Sequence, residues 1–180
     1  WDSHHIRISV KVHRSIQSAN LLEENLGWRV ASPTQEELQA ASEADLHPQG
    51  DAAGQPFCLL PFTYPVRRDD KRISGPLWTG PLFDAEVLTS MTGERAIELC
   101  GEDAEPAVRH WVNEADLVDT PSLIMTDMLP KYCDVGGPPR IIKLVTGLQA
   151  AGFRAAIARW GAPAIRTDAP WPVVLKATEA

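Results

Sequence analysis

Residues 126–168, TDMLPKYCDVGGPPRIIKLVTGLQAAGFRAAIARWGAPAIRTD, carry the clearest architecture in the chain. Thr126 to Tyr132 reads as a short helix. DVGGPP then makes a tight turn, its two glycines followed by prolines suited to a helix start. RIIKLVTGLQAAG predicts a second helix, with Ile141, Leu144 or Val145, Leu148 and Ala151 on one face and Gly152 ending it. FRAAIAR and PAIRTD read as two short strands around WGAP. Helix, turn, helix and hairpin follow one another in the order of a winged helix-turn-helix.

Upstream, the chain changes character near Gly80–Asp84, where a domain boundary is expected. DAEVLTSMTGERAIEL and EDAEPAVRHWVNEADL are two helical patterns, with Pro106 near the first turn of the second or breaking it. Asp84 is most simply an N-cap. Before the boundary, HIRISVKVH alternates strictly and predicts a half-buried strand. Ser15 is placed as the N-cap of a helix running to about Leu26, with Gly27 as its C′ residue. Residues 32–56 read as an insertion holding a short helix from Thr34 to Ala44, and FCLLPFTY as an apolar strand interrupted by Pro61. Arg67–Arg72 forms a charged turn, and ISGPLWTGPL is punctuated by proline and glycine around Trp78. The fold class expected is mixed α and β.

The chain has 180 residues and a formal net charge of -7, which taken whole argues against a nucleic-acid partner. The distribution argues otherwise. Residues 1–81 carry a net -2, and residues 82–130 hold two Lys or Arg against eleven Asp or Glu. Residues 131–180 hold seven against three. A basic end after an acidic middle suits an anionic partner, although uneven surface charge on a plain soluble domain is the blander reading. Three cysteines, odd in number and without a CxxC pair, give no disulfide framework, make zinc improbable and favour a reducing compartment such as the cytosol. No run of about 18 apolar residues suggests a membrane span. A start at Trp1 rather than Met suggests a fragment or a processed product.

No recognisable catalytic motif occurs. The sequence has no G-x-G after a predicted strand, no P-loop, no H-E-x-x-H and no G-x-S-x-G. His4 and His5 point to opposite faces of a strand, and His5 and His13 would lie about 26 Å apart on one, so a shared metal is not expected. The candidates for binding chemistry are Arg140 and Lys143 on the second helix, and Arg154, Arg159 and Arg166 on the hairpin with Trp160 at its tip. Guanidinium groups beside an exposed aromatic can hold phosphates and stack on a base. Trp171 is better read as core, whereas Trp160 suits core or stacking equally.

Three segments, in order, resemble the tRNA (guanine-N2)-dimethyltransferase family. HIRISVKVHRSIQSANLLEENLGW is similar to that family's late strand and the helix ending in L-G-Y/W. Gly75, Pro76, Leu77, Trp78, Gly80 and Pro81 match its signature G-P-L-W-x-G-P-L-H-D. GLQAAGFRA and IRTDAPW, with Thr167 and Asp168, resemble its C-terminal segment. The resemblance implies residues 1–81 as the last strands of a Rossmann-like methyltransferase domain and 82–180 as a family-specific, winged-helix-like C-terminal domain. It further implies transfer of methyl groups from S-adenosylmethionine to N2 of a tRNA guanine. The cofactor loop and catalytic motif would lie in an N-terminal half outside this chain, so no S-adenosylmethionine is expected to bind here and no activity is expected alone. Two departures from the family are visible: only Cys58 remains where some relatives carry paired cysteines, and Phe83 replaces the signature histidine. The expected function is tRNA binding by a C-terminal portion, with the N-terminal half as partner in the same or a separate chain. The alternatives are a winged-helix DNA-binding or regulatory module and a protein-interaction scaffold built on the acidic 82–130 stretch.

Overall fold

The computed structural model describes residues 12, 14–46, 54–120, 122–158 and 162–180. The expected strand over residues 5–13 lies outside them apart from Val12. Ser15 caps a first helix, α1 (Ile16–Asn20), by accepting from the Ser18 amide at 3.2 Å. The helix does not reach Leu26. The chain tightens into a 3-10 turn over Leu22–Asn25 and enters strand β1 (Leu26–Ala31). Pairing overrides the helical spacing here: Leu26 sits opposite Trp78 of β3 (Ile73–Trp78), and Gly27 opposite Pro61 of β2 (Phe57–Pro61). Gly27 is therefore a strand residue rather than a helix terminator. A Cβ there would lie 2.5 Å from the Leu60 carbonyl oxygen, so only glycine lets the two backbones approach this closely.

The three strands form an antiparallel sheet in the order β2-β1-β3. Thr34 opens α2 (Gln35–Glu43) with a capping box: its hydroxyl accepts from the Glu37 amide, and the Glu37 carboxylate accepts from the Thr34 amide at 2.7 Å. α2 lays Leu38 and Ala41 on Val30, Cys58 and Leu60, and these form the first core. Pro76 is accommodated in β3 because that strand is an edge.

Glu37 ties this unit together. It is 8% exposed and bidentate to Arg72, which also grips Asp70 at 2.7 Å. Burial alone would raise the Glu37 pKa, but the hydrogen bonds from Arg72 and from the Thr34 amide outweigh it, holding the carboxyl below its ordinary value. A carboxylate depressed in the folded state stabilises above its unfolded pKa and loses that contribution as pH falls through the lower folded value. Glu37→Gln should thus cost about 2 kcal/mol at neutral pH, with the difference shrinking below about pH 4.5; urea titrations at pH 7 and pH 3.5 measure both. Cys58 lies beneath this network, fully buried, its thiol pushed up to about 12 by burial and then by Glu37. Exposed Cys100 should therefore react with a thiol reagent in the native protein, whereas Cys58 should react only on unfolding.

After Pro81 the chain turns helical. Asp84 caps α3 (Ala85–Ser90), accepting from the Glu86 and Val87 amides, and Thr92 caps α4 (Gly93–Cys100). The single helical pattern expected over 84–99 is thus two helices, separated where Met91 takes extended dihedrals. Pro106 falls in the first turn of α5 (Glu105–Asn113), where its missing N–H removes no helical bond.

The C-terminal stretch follows the expected order with two additions. Thr126–Lys131 is a 3-10 turn, followed by α6 (Ile141–Ala150), β5 (Ala155–Ala158) and β6 (Ala164–Thr167). The additions are β4 (Ile124–Met125), which makes the order β4-β6-β5, and a terminal helix α7 (Trp171–Glu179). Leu129, Leu144, Leu148, Ile165, Trp171 and Val174 anchor the second core. Trp171 is 2% exposed and meets Tyr132 edge to face at 5.3 Å, a packing role as expected. Among the described residues, no helix is long and apolar enough to cross a membrane.

Candidate nucleic-acid interface

The GGPP turn delivers Arg140 to the start of α6, where it is exposed and makes no side-chain cap. Lys143 follows on the exposed side of the first turn. α7 packs against α6 where Gly147 meets Ala177; a Cβ on that glycine would touch the Ala177 methyl at 3.9 Å. Between the two helices runs a groove of about 710 Å³ with an apolar floor of Ile142, Phe153 and Val173 and two cations, Lys143 and Lys176. None of Arg140, Lys143 and Lys176 forms an ion pair among the described residues. Sequence reasoning missed Lys176 because it missed α7. The clue was Pro172 in a first turn followed by VVLKAT, since proline is favoured there and apolar residues then recur along the helix.

Arg154 and Arg166 are placed differently from the expectation. Arg166 does not face solvent. Its side chain is 10% exposed and donates through Nε to Glu114 Oε2 at 2.7 Å, and through Nη1 to the Thr120 carbonyl at 2.8 Å. Glu114, itself 5% exposed, closes α5 and lies 52 residues away in sequence. This carboxylate and the backbone carbonyls occupy the guanidinium donors and draw Arg166 away from the solvent-facing position expected for it.

Arg154 remains partly exposed but is enclosed by acids. Nε donates to Asp168 at 2.6 Å, Nη2 to Asp119 at 3.1 Å, and Nη1 to the Asp116 carbonyl. The Asp168 and then Asp119 carboxylates raise its pKa further above the usual guanidinium value. Thr167 donates to the Arg154 carbonyl at 2.7 Å and accepts from the Ala169 amide. Thr167 and Asp168 thus clasp the start of β5 to the end of β6, a local structural role. Arg159 and Trp160 lie outside the described residues.

In the GPLW stretch, Gly75 has φ +138 and precedes a cis bond to Pro76. Leu77 and Trp78 are both exposed, and the Trp78 indole N–H donates to the Pro81 carbonyl at 3.0 Å. A Cβ on Gly80 would overlap the Asn25 carboxamide, so this glycine lets the loop after β3 close on the start of β1. These residues shape a sheet edge and its exit. Asp84 accepts two amide hydrogens as a helix cap. Among the described residues, no three His, Cys, Asp or Glu side chains converge as metal ligands.

Compared with known proteins, residues 1–179 match the family described as N2,N2-dimethylguanosine tRNA methyltransferase. The chain belongs to that family. A tRNA (guanine(26)-N(2))-dimethyltransferase of Aeropyrum pernix is 30% identical over 98% of this chain and 40% of its own length. The Schizosaccharomyces pombe protein of the same description is 37% identical over 57% of this chain and 19% of its own length. Trm1 from Pyrococcus horikoshii, solved in complex with S-adenosyl-L-methionine, superposes with a TM-score of 0.64 at 19% identity, over 89% of this chain and 37% of that one. That likeness establishes a shared mixed α and β fold. The chain spans about 40% of the length of the Aeropyrum member of the family.

Proposed function

We propose that this chain is the tRNA-gripping C-terminal portion of an S-adenosylmethionine-dependent tRNA guanine-N2-dimethyltransferase. The observation that carries the reading is the α6–α7 face, where Arg140, Lys143 and Lys176 stand exposed without acidic partners among the described residues. They would hold phosphates, which position an RNA without reading its sequence. Residues 1–81 are assigned to the end of the Rossmann-like methyltransferase domain. Residues 82–180 are assigned to a C-terminal domain, with the 3-10 turn, α6 and the β5-β6 hairpin in a winged-helix-like order.

Methyl transfer itself needs a glycine-rich strand-loop-helix for the cofactor and a carboxylate near the exocyclic amine. The residues here do not fit that requirement, since no G-x-G follows a strand anywhere in the sequence. Cofactor binding and the chemical step are assigned to an N-terminal half, in the same or a separate chain, and this portion alone is inactive. Competition distinguishes the reading from a DNA-binding module. Unlabelled tRNA should displace a labelled tRNA transcript at least about tenfold better than a DNA duplex of equal charge at the same salt. Equal displacement, or preference for the duplex, overturns it.

A further inference from the structure

The turn after β2 holds a second cationic feature, built from residues other than the predicted cations. Trp28, Val66, Arg67, Arg68, Ile73, Gly75 and Pro76 enclose a cavity of about 440 Å³, a size ordinary for a small-ligand site. Its apolar side is built on Trp28. The Trp28 indole is stacked on Phe62 with ring centroids 5.9 Å apart, and its N–H donates to the Phe62 carbonyl at 3.1 Å. Gly75 brings the β3 backbone against the same ring: a Cβ there would lie 3.1 Å from Trp28 Cε3.

The rim is cationic through Arg67 and Arg68, whereas Arg72, outside the lining, is fixed by Glu37 and Asp70. Arg67 pairs only with Asp69 at 3.0 Å, with both side chains more than 70% exposed, so water screens the pair and a phosphate can replace it. Arg68 has no ion pair or hydrogen bond among the described residues. Two exchangeable guanidinium groups over an aromatic and proline-lined floor are the ingredients of a nucleotide subsite: phosphate at the rim, base against the floor.

We infer that the Trp28–Arg67–Arg68–Pro76 cavity binds one unstacked nucleotide of a single-stranded RNA segment, apart from the α6–α7 grip. The inference rests on the RNA-binding reading above but uses different residues, so the two fail separately. A fluorescence-anisotropy titration of the 180-residue chain with a labelled twelve-nucleotide oligouridylate tests it, beside a tRNA transcript and with uridine monophosphate as competitor. Arg68→Glu and the milder Arg68→Gln lie on the exposed turn, and circular dichroism checks that each variant is folded.

Arg68→Glu should weaken oligouridylate binding by about tenfold or more, with Arg68→Gln intermediate. Lys143→Ala with Lys176→Ala should leave oligouridylate nearly unchanged while weakening the transcript. If Arg68→Glu leaves oligouridylate affinity intact, the cavity is not an RNA subsite, whatever the transcript does. If the monophosphate competes as well as the oligomer at equal nucleotide concentration, the cavity takes free nucleotides and the RNA assignment falls.

Discussion

Arg166→Ala is expected to destabilise the protein by about 3–5 kcal/mol, the range for removing one partner of a buried ion pair. The substitution takes the guanidinium from a carboxylate that is 5% exposed and strips donors from the Thr120 and Ser122 carbonyls. Three segments meet at this group: the end of α5, the loop before β4, and β6 at the centre of its sheet. The loss should therefore be global. A urea titration followed by circular dichroism measures it. Arg140→Ala, at an exposed position, should stay within about 0.5 kcal/mol of the parent. A surface phosphate-binding role for Arg166 predicts the reverse pattern, with stability untouched and RNA affinity lost.

The second large effect concerns binding. Replacing Arg140, Lys143 and Lys176 together by Ala should weaken tRNA affinity on the order of a hundredfold near 0.1 M salt. It should also lower the slope of log affinity against log salt by about one per cation removed. The three side chains are exposed and outside the second core, so unfolding should not confound the result. Filter binding across a salt series gives both quantities. Arg154→Ala should instead act mainly on stability, because its donors already face Asp168, Asp119 and the Asp116 carbonyl. An Arg154 variant with normal stability and a reduced salt slope would show that these acids release it to the RNA.

Local chemistry was legible in the sequence. Ser15 and Asp84 as caps, a short helix beginning at about Thr34, α6 ending near Gly152, and the hairpin strands all follow from short-range rules, and the structure has them. Errors arose where a distant segment decides. The spacing of Leu21, Leu22 and Leu26 favours a helix, yet Leu26 pairs with a strand 52 positions on. Glycine and proline in ISGPLW conceal a strand that the edge of a sheet tolerates. Arg166 and Arg154 read as free cations because Glu114 and Asp119, which pair with them, stand 52 and 35 residues away. The family was legible through Gly75–Pro81 and Thr167–Asp168, and in the structure these residues shape a strand edge and a clasp.

The most direct test locates the RNA on the protein. Amide chemical shifts of the labelled 180-residue chain, followed during titration with a tRNA transcript, should move over residues 140–147 and 173–177 while those over 85–113 stay still. Shifts concentrated on the acidic helices, with α6 and α7 silent, would contradict the account.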